Sequence, residues 1–324
     1  MTLLTKNVGS YPRIGDRDEQ QRLRRAHAQL EKGAISEADF AAVEDDATRE
    51  VIAEQIAAGL DLVTDGQVRW YDVVSHVVKI LGSTSVNGLV RFFDTNYLVR
   101  QLAVDGPISW RGPVLAAEYA FAVKNSAKPV IPVVIGPFTL AKHTIAGTRS
   151  ASFDVLFHEI TDAIAQEVAA LAQAGADRVQ LDEPSITAFS DEFPLFAQGV
   201  NKIAKSAPRV ALELHLYFGD ATPLYDRLQA LPVSVLGLDF TYSPGLVEKI
   251  AAAGSDKGIA FGLIDGRNTK LDDKAAVLRT LEKLLPKVRG DRAYLCPSCG
   301  LEYLPRDRAL RKLKHLVSIA SELK

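Results

Sequence analysis

The chain has 324 residues, of which 47% are hydrophobic and 24% are charged, and its formal net charge is −2. This composition is typical of a globular protein that buries a substantial core. The charge argues against a nucleic-acid surface, which needs clustered cations, and no apolar run approaches the ~20 residues that span a bilayer. The start lacks a signal-peptide layout and two cysteines give no disulfide framework, so we expect a cytoplasmic protein.

Short β-branched segments alternate with longer helical patterns along the sequence. This alternation indicates parallel strands joined by crossover helices. The predicted strands are residues 3–8, 61–64, 130–135, 178–181, 210–214, 235–238, 258–264 and 293–295. The predicted helices are residues 35–58, 155–174, 224–231, 274–285 and 307–323. Eight such strands predict an α/β fold, a single (β/α)8 TIM barrel that occupies residues 1–324.

Two connections, after strands 1 and 2, are longer than the others. Residues 20–58 hold enough sequence for two helices, and residues 71–128 contain the segment 91–97. A connection this long in a compact domain is usually an inserted functional element. Because we find no linker, low-complexity tract or solenoid repeat, one barrel with long insertions is preferred to two domains.

Most of the predicted strands end at a polar or reactive side chain. The carboxyl ends of the strands of a (β/α)8 barrel share one rim, where residues distant in sequence converge. The residues at these ends are Ser10, Asp65, Asp182, His215, Asp239, Asp265 and Cys296. A histidine, thiols and carboxylates on one rim suggest a site for zinc, which favours mixed nitrogen and sulfur ligands.

The two cysteines, Cys296 and Cys299, lie in one Cys-Pro-Ser-Cys-Gly turn. Such a turn aims two thiolates at one ion, but a zinc ribbon needs a second pair of cysteines that this chain lacks. A redox pair of the thioredoxin type follows an early strand, whereas this pair closes the barrel. Two interpretations remain, a shared metal site or two unreactive thiols.

Each of the other candidates has a structural alternative. His215 is a metal ligand or a hydrogen-bonded core histidine. Asp182 holds a substrate ammonium group or caps a helix, and Asp239 completes a metal site or caps a helix. The turn at Gly9 and Ser10 presents backbone N–H groups to a carboxylate, or is only a turn.

Seven segments resemble the cobalamin-independent methionine synthase family, and the resemblance covers nearly the whole chain. The segments are residues 9–15, 93–97, 135–137, 180–184, 231–233, 263–268 and 297–301. Enzymes of this family have two similar barrels, and the second carries a zinc that activates homocysteine. This chain resembles a single barrel with features of both halves. The resemblance implies a zinc-dependent methyltransferase that converts homocysteine to methionine.

The resemblance also implies a set of zinc ligands. His215 and Cys299 match two of the family's ligands, and Asp239 stands where the family has a glutamate ligand. The second thiolate of the family is replaced by Tyr217. Cys296, where the family has an asparagine, is the candidate to replace that missing thiolate.

Further positions are implied to hold the substrates. The homocysteine-holding pattern is matched at Val8, Gly9, Ser10 and Asp182. Gln67 stands where a family glutamate helps to hold the amine, and Arg91 falls where the first barrel presents a lysine to the folate tail. Arg267 takes the place of the catalytic histidine. We therefore expect Asp182 and Arg267 to be catalytic.

The methyl donor is left open between methylcobalamin and methyltetrahydrofolate. Single-barrel relatives that use a corrinoid favour methylcobalamin, delivered by a corrinoid protein, and residues 18–21 match the family's basic folate-tail cluster poorly. Departures at Gln67, Tyr217 and Arg267 motivate two alternatives. One is a non-catalytic, zinc-free relative of the N-terminal barrel that binds a folate-like ligand or a partner. The other is a zinc-dependent alkyltransferase acting on another small thiol.

Overall fold

The computed structural model describes residues 2–149 and 151–323. Its strands are β1 Leu3–Thr5, β2 Thr84–Arg91, β3 Leu98–Val104, β4 Val133–Ile135, β5 Thr144–Ala146, β6 Arg178–Asp182, β7 Ala211–Leu216, β8 Val235–Asp239, β9 Gly258–Ile264 and β10 Ala293–Pro297. Its α-helices are α1 Arg22–Glu31, α2 Glu37–Ala57, α3 Leu115–Lys124, α4 Pro137–Lys142, α5 Phe153–Gln173, α6 Phe193–Ser206, α7 Tyr225–Gln229, α8 Leu246–Ala253, α9 Lys274–Leu284 and α10 Arg306–Ala320. Short 3-10 helices cover Asp18–Gln21, Ser75–Lys79, Pro184–Thr187, Ser190–Glu192, Thr222–Leu224, Leu285–Lys287 and Ser321–Leu323.

Seven strands form one parallel sheet in the order β1, β10, β9, β8, β7, β6, β4. Its two edges are joined through residues 62 and 63. Leu62 bridges Lys6 just beyond β1, and Val63 bridges Val130 ahead of β4, both in parallel register. The Ile131 N–H group donates to the Val63 carbonyl at 2.9 Å. This short eighth strand closes the sheet into the predicted barrel.

Seven of the eight predicted strands and all five predicted helices are confirmed, with shifts at their ends, and the predicted strand 61–64 is present only as the bridges at Leu62 and Val63. The first strand stops at Thr5 instead of residue 8, because the chain then turns towards the barrel mouth. Helices α3, α4, α6 and α8 were not predicted individually, although the alternation of strands and helices already called for a helix in the gaps that hold α6 and α8. At the start of α2, Ser36 and Asp39 cap each other reciprocally through side chain and backbone.

The two long connections have different structures. The connection at 20–58 contains α1 and α2, as predicted. The connection at 71–128 contains the antiparallel pair β2–β3 and α3, and β5 later adds to β3 in parallel. The turn between β2 and β3, residues 92–97, faces the carboxyl ends of the barrel strands, since two of its side chains pack on residues beyond β7 and β10.

Apolar side chains fill both faces of the barrel wall. The main core joins outward-facing strand residues such as Leu181 to helix residues such as Ile164. A smaller cluster fills the inside and consists of Val8, Leu62, Val235, Ala260, Tyr294 and Cys296. The barrel is therefore a packed core, and the rim is the place for a ligand. None of the helices in the described ranges is both long and apolar enough to cross a membrane.

Candidate active site

A cavity of about 370 Å³ opens at the carboxyl ends of the barrel strands. Its lining residues are Asp94, Thr95, Asn96, Tyr97, Arg267 and Tyr303. The first four belong to the β2–β3 turn, and the last two follow β9 and β10. The insertion after the second strand thus forms one wall of the cavity.

Arg267 presents its guanidinium group to this cavity. The group lies 4.7 Å from the ring centre of Tyr242 and 5.5 Å from that of Phe218. Its Nη1 atom is 3.5 Å from Asp94 Oδ1, and its backbone N–H donates to Asp265 Oδ1 at 2.8 Å. Arg267 therefore shapes its own loop and also holds a cation over aromatic faces, where a ligand's anionic group can reach it. Arg91, in contrast, is exposed at the end of β2 and does not line the cavity.

Gly9, Ser10 and Gln67 come together at the mouth beside the turn after β10. Gly9 has φ +73°, and a Cβ atom built there would lie 3.5 Å from Gln67 Oε1. Gln67 itself has φ +51°, an uncommon value for a non-glycine residue. Ser10 Oγ leaves no room for a Cβ at Gly300. Strained backbone such as that of Gln67 concentrates at functional sites. Val8, which precedes Gly9 in the chain, packs inside the barrel.

Asp182 ends β6 with its carboxylate turned into the barrel mouth. Gln180 Nε2 donates to its Oδ1 at 2.8 Å, and Tyr217 OH donates to its Oδ2 at 3.2 Å. Burial raises the pKa of Asp182 to about 7, against the lowering effect of these two hydrogen bonds and of Lys6. Asp182 is thus not a helix cap, and each of its oxygens can accept another donor.

The capping role belongs to the neighbouring Glu183, which the sequence analysis missed. Its carboxylate accepts from the backbone N–H groups of Phe138 at 2.9 Å and Thr139 at 2.7 Å, at the start of α4. Burial raises the pKa of Glu183 to about 7, although these hydrogen bonds oppose the shift. This contact fastens α4 to the end of β6 and so fixes the strand end that carries Asp182.

His215 lies inside the barrel against a buried ion pair. Lys6 Nζ is 2.9 Å from His215 Nε2 and 2.5 Å from Glu213 Oε2. Because an ammonium group only donates, Nε2 is the acceptor and the ring proton is on Nδ1. Burial and then the Lys6 charge lower the pKa of His215 to about 4. Burial alone would raise the pKa of Glu213, but Lys6 and His215 lower it to about 2.

Asp239 has the geometry of a cap. Its Oδ1 accepts from Thr241 N at 2.8 Å, from Thr241 Oγ1 at 2.6 Å and from Tyr242 N at 3.3 Å. Its Oδ2 accepts from Phe218 N at 3.2 Å. Burial raises the pKa of Asp239 to about 6 against these bonds. The carboxylate organises the turns after β7 and β8.

Both cysteines are buried thiols. Cys296 belongs to the apolar cluster inside the barrel, and burial raises its pKa to about 12. Cys299 Sγ lies 3.4 Å from the Gly300 carbonyl oxygen, and burial likewise raises its pKa. Burial therefore disfavours a free thiolate at both positions.

The predicted zinc ligands are not brought together. Among residues 2–149 and 151–323, no three His, Cys, Asp or Glu side chains are grouped so that they could hold a metal ion. The physical reason is that the predicted donors already have other partners. Lys6 occupies His215 Nε2, four donors surround Asp239, and Cys296 packs in an apolar cluster. The residues present do not fit zinc.

Residues 3–322 match the family model described as "Cobalamin-independent synthase, Catalytic domain". The chain belongs to this family. The "Methionine synthase" of Sulfurisphaera tokodaii is 30% identical over 319 residues, which are 97% of this chain and 90% of the relative. That of Pyrococcus horikoshii is 27% identical over 322 residues, which are 99% of this chain and 92% of the relative. These relatives confirm the predicted family and the predicted class of enzyme, a methyltransferase.

The fold agrees with solved structures. A B12-independent methionine synthase from Shewanella sp. W3-18-1, in complex with selenomethionine, superposes with a TM-score of 0.82 over 100% of this chain and 98% of that chain, at 21% identity. This likeness confirms the barrel fold. The description of the matched family as cobalamin-independent conflicts with the predicted methylcobalamin donor, and nothing in these relatives supports a corrinoid protein as partner.

Proposed function

We propose that this protein transfers a methyl group to the thiol of homocysteine and so forms methionine. The observation that carries the proposal is the buried Asp182 carboxylate at the barrel mouth, whose rim also carries the turn at Gly9 and Ser10 beside the strained backbone of Gln67. The resemblance assigns these positions to the amino acid, and membership of the family supports the reaction.

Each end of the amino acid has a complementary group. Asp182 accepts the substrate ammonium group, because its two oxygens retain capacity beyond the bonds from Gln180 and Tyr217. The Gly9 backbone and the Ser10 hydroxyl hold the carboxylate, and Gln67 adds a neutral acceptor beside Gly9. These two contacts fix the orientation of homocysteine and therefore the position of its thiol. Holding the reacting group in place in this way lowers the barrier to reaction.

We further propose a methylated folate as the donor, since the relatives are described as independent of cobalamin. Arg267 lies in the cavity wall and offers a planar cation to a donor carboxylate. Arg91 stands at the edge of the same hairpin and is the candidate contact for the folate tail.

A second candidate is alkyl transfer to another small thiol. Arg267 favours it, because the guanidinium group over Tyr242 suits a thiol that carries a sulfonate or phosphate. This candidate keeps the same barrel and the same cavity and changes only the acceptor.

The test is an assay of methylated product by mass spectrometry. The protein is offered methyltetrahydrofolate or methylcobalamin, each with homocysteine or with a small sulfonate-bearing thiol. Methionine formed from the folate donor supports the proposal. Methionine formed from methylcobalamin alone contradicts the proposed donor. Product from the sulfonate thiol alone favours the second candidate, and the absence of product in every combination overturns both.

A further inference from the structure

Lys6 is a fully buried lysine inside the barrel. Its ammonium nitrogen lies 2.5 Å from Glu213 Oε2, 2.9 Å from His215 Nε2 and 3.4 Å from Gln180 Oε1. An ammonium group has three N–H donors, and three acceptors surround it here. Such a charge is buried at acceptable cost only when it is paired and hydrogen-bonded in this way.

This ammonium group and a metal ion compete for the same atom. The Nε2 atom of His215 has one lone pair in the ring plane, and Lys6 donates to it. A zinc ion at its usual distance of about 2.0–2.1 Å would need that same lone pair. The face of the ring lies against the backbone of β8, since a Cβ built on Gly237 would collide with three of its atoms. The contact with Lys6 therefore closes Nε2 of His215 to a metal.

The remaining positions of the implied zinc site carry a different network. Tyr217, which stands where the family has a thiolate, donates its OH to Asp182. Asp182 in turn accepts from Gln180, whose oxygen faces Lys6. A continuous line of hydrogen bonds thus runs from Lys6 to Tyr217. These hydrogen bonds connect the four side chains without an ion.

We propose that the Lys6 ammonium group is the resident cation of this barrel, balanced by Glu213, and that the protein binds no zinc at His215 and Cys299. Lys6 and Glu213 form a neutral pair, so the site needs no divalent cation for charge balance. The inference concerns the same site as the proposed methyl transfer. Its readouts are metal content and thermal stability, so it stands or falls separately from activity.

The first experiment measures zinc directly. The whole protein is purified under reducing conditions from zinc-supplemented cells, analysed for metal content, and titrated with zinc chloride in a calorimeter. Wild type, His215→Gln and Cys299→Ser are compared side by side. We expect far less than one zinc per chain, with no difference among the three. One zinc per chain in wild type that is lost in both variants would overturn the proposal.

The second experiment tests whether the charge of Lys6 is the one that Glu213 needs. Lys6→Met leaves the buried carboxylate unpaired, and we expect the thermal midpoint to fall by about 5 °C or more. The double variant Lys6→Met/Glu213→Gln removes both charges and should recover most of this loss. If Lys6→Met is too unstable to purify, recovery of soluble protein in the double variant gives the same support. A double variant no more stable than Lys6→Met contradicts the proposal.

Discussion

Two neighbouring groups of residues at the barrel mouth, the substrate side and the metal-ligand side, differ in how their polar atoms are used. On the substrate side, Asp182 keeps acceptor capacity beyond its bonds from Gln180 and Tyr217. On the metal-ligand side, Lys6 engages His215 and turn backbone engages Asp239, although His215 pairs with Asp182 across adjacent strands. Substrate binding and metal binding are therefore assigned to different residues of this fold, since function resides in particular sites that a shared fold carries.

The difference has a simple electrostatic basis. A buried carboxylate needs a compensating cation, which can be a metal ion or a protein side chain. Here Lys6 supplies that charge and binds Glu213 and His215 directly. Asp182 is joined to this cation through Gln180, so the substrate side is hydrogen-bonded to the residue that supplies the charge.

The largest effect is expected for Asp182→Asn, which removes the charge proposed to bind the substrate ammonium group. The amide keeps the size of the side chain but loses the charge that grips the ammonium group. Loss of one partner of a buried charge pair costs about 2–5 kcal/mol, which corresponds to a fall in kcat/KM of about 30-fold to several-thousand-fold. Tyr217→Phe is the matched control, because it removes one hydrogen bond to the same carboxylate and leaves its charge. Equal losses in both variants would show that charge is not what Asp182 contributes.

The next effect is a pH dependence on the same side. Asp182 has a pKa of about 7, above its ordinary value of 3.8, because of burial. Homocysteine affinity should rise about tenfold per pH unit up to pH 7 and then level off, since only the carboxylate pairs with ammonium. Stability should move in the opposite direction. The neutral form is favoured in the fold, so its contribution is complete below pH ~4 and is lost as pH rises through 7. Calorimetric titrations from pH 5.5 to 8.5 check the affinity, and Asp182→Asn should abolish the slope.

The barrel itself could be predicted from sequence because the pattern of a short apolar strand is repeated eight times. Nearly continuous apolar runs such as 258–264, separated by helical stretches, define parallel strands with little ambiguity. The shared rim predicted Ser10 and Asp182 at the barrel mouth, whereas Gln67 was named only by the resemblance. The resemblance supplied the roles of these residues, and family membership is confirmed by the match over residues 3–322.

The partners of the implied metal ligands could not be predicted in the same way. Hydrogen-bond partners depend on which side chains of different strands share a layer, and the sequence does not give this register. A usable signal was present in Lys6 and Glu213, two opposite charges placed within buried strands. Charges in such strands are almost never left unpaired, so their pairing inside the barrel was inferable.

A smaller effect is expected for Arg267→Met, which tests the cavity wall shared by both sides. Loss of a charge-assisted contact to an anionic donor should raise the KM for methyltetrahydrofolate about tenfold, with kcat nearly unchanged. The control is Arg227→Met, because Arg227 also stacks on an aromatic ring, 4.7 Å from the centre of Phe193, but lies outside the cavity. A fall in kcat without a change in KM would place Arg267 at the reacting atoms instead.

The smallest effect is expected for Gln67→Glu, which sharpens the substrate side. The variant introduces the carboxylate that the family has at this position, next to Gly9 and the amino acid. Gln67 is 7% exposed. The cost of desolvating a new carboxylate therefore offsets most of its attraction to the ammonium group, and homocysteine affinity should increase by no more than about fivefold. The gain should be absent for 4-mercaptobutanoate, which lacks the amine and otherwise matches homocysteine. Isothermal titration calorimetry measures the affinity for both ligands. Equal changes in the two affinities would mean that Gln67 does not face the ammonium group.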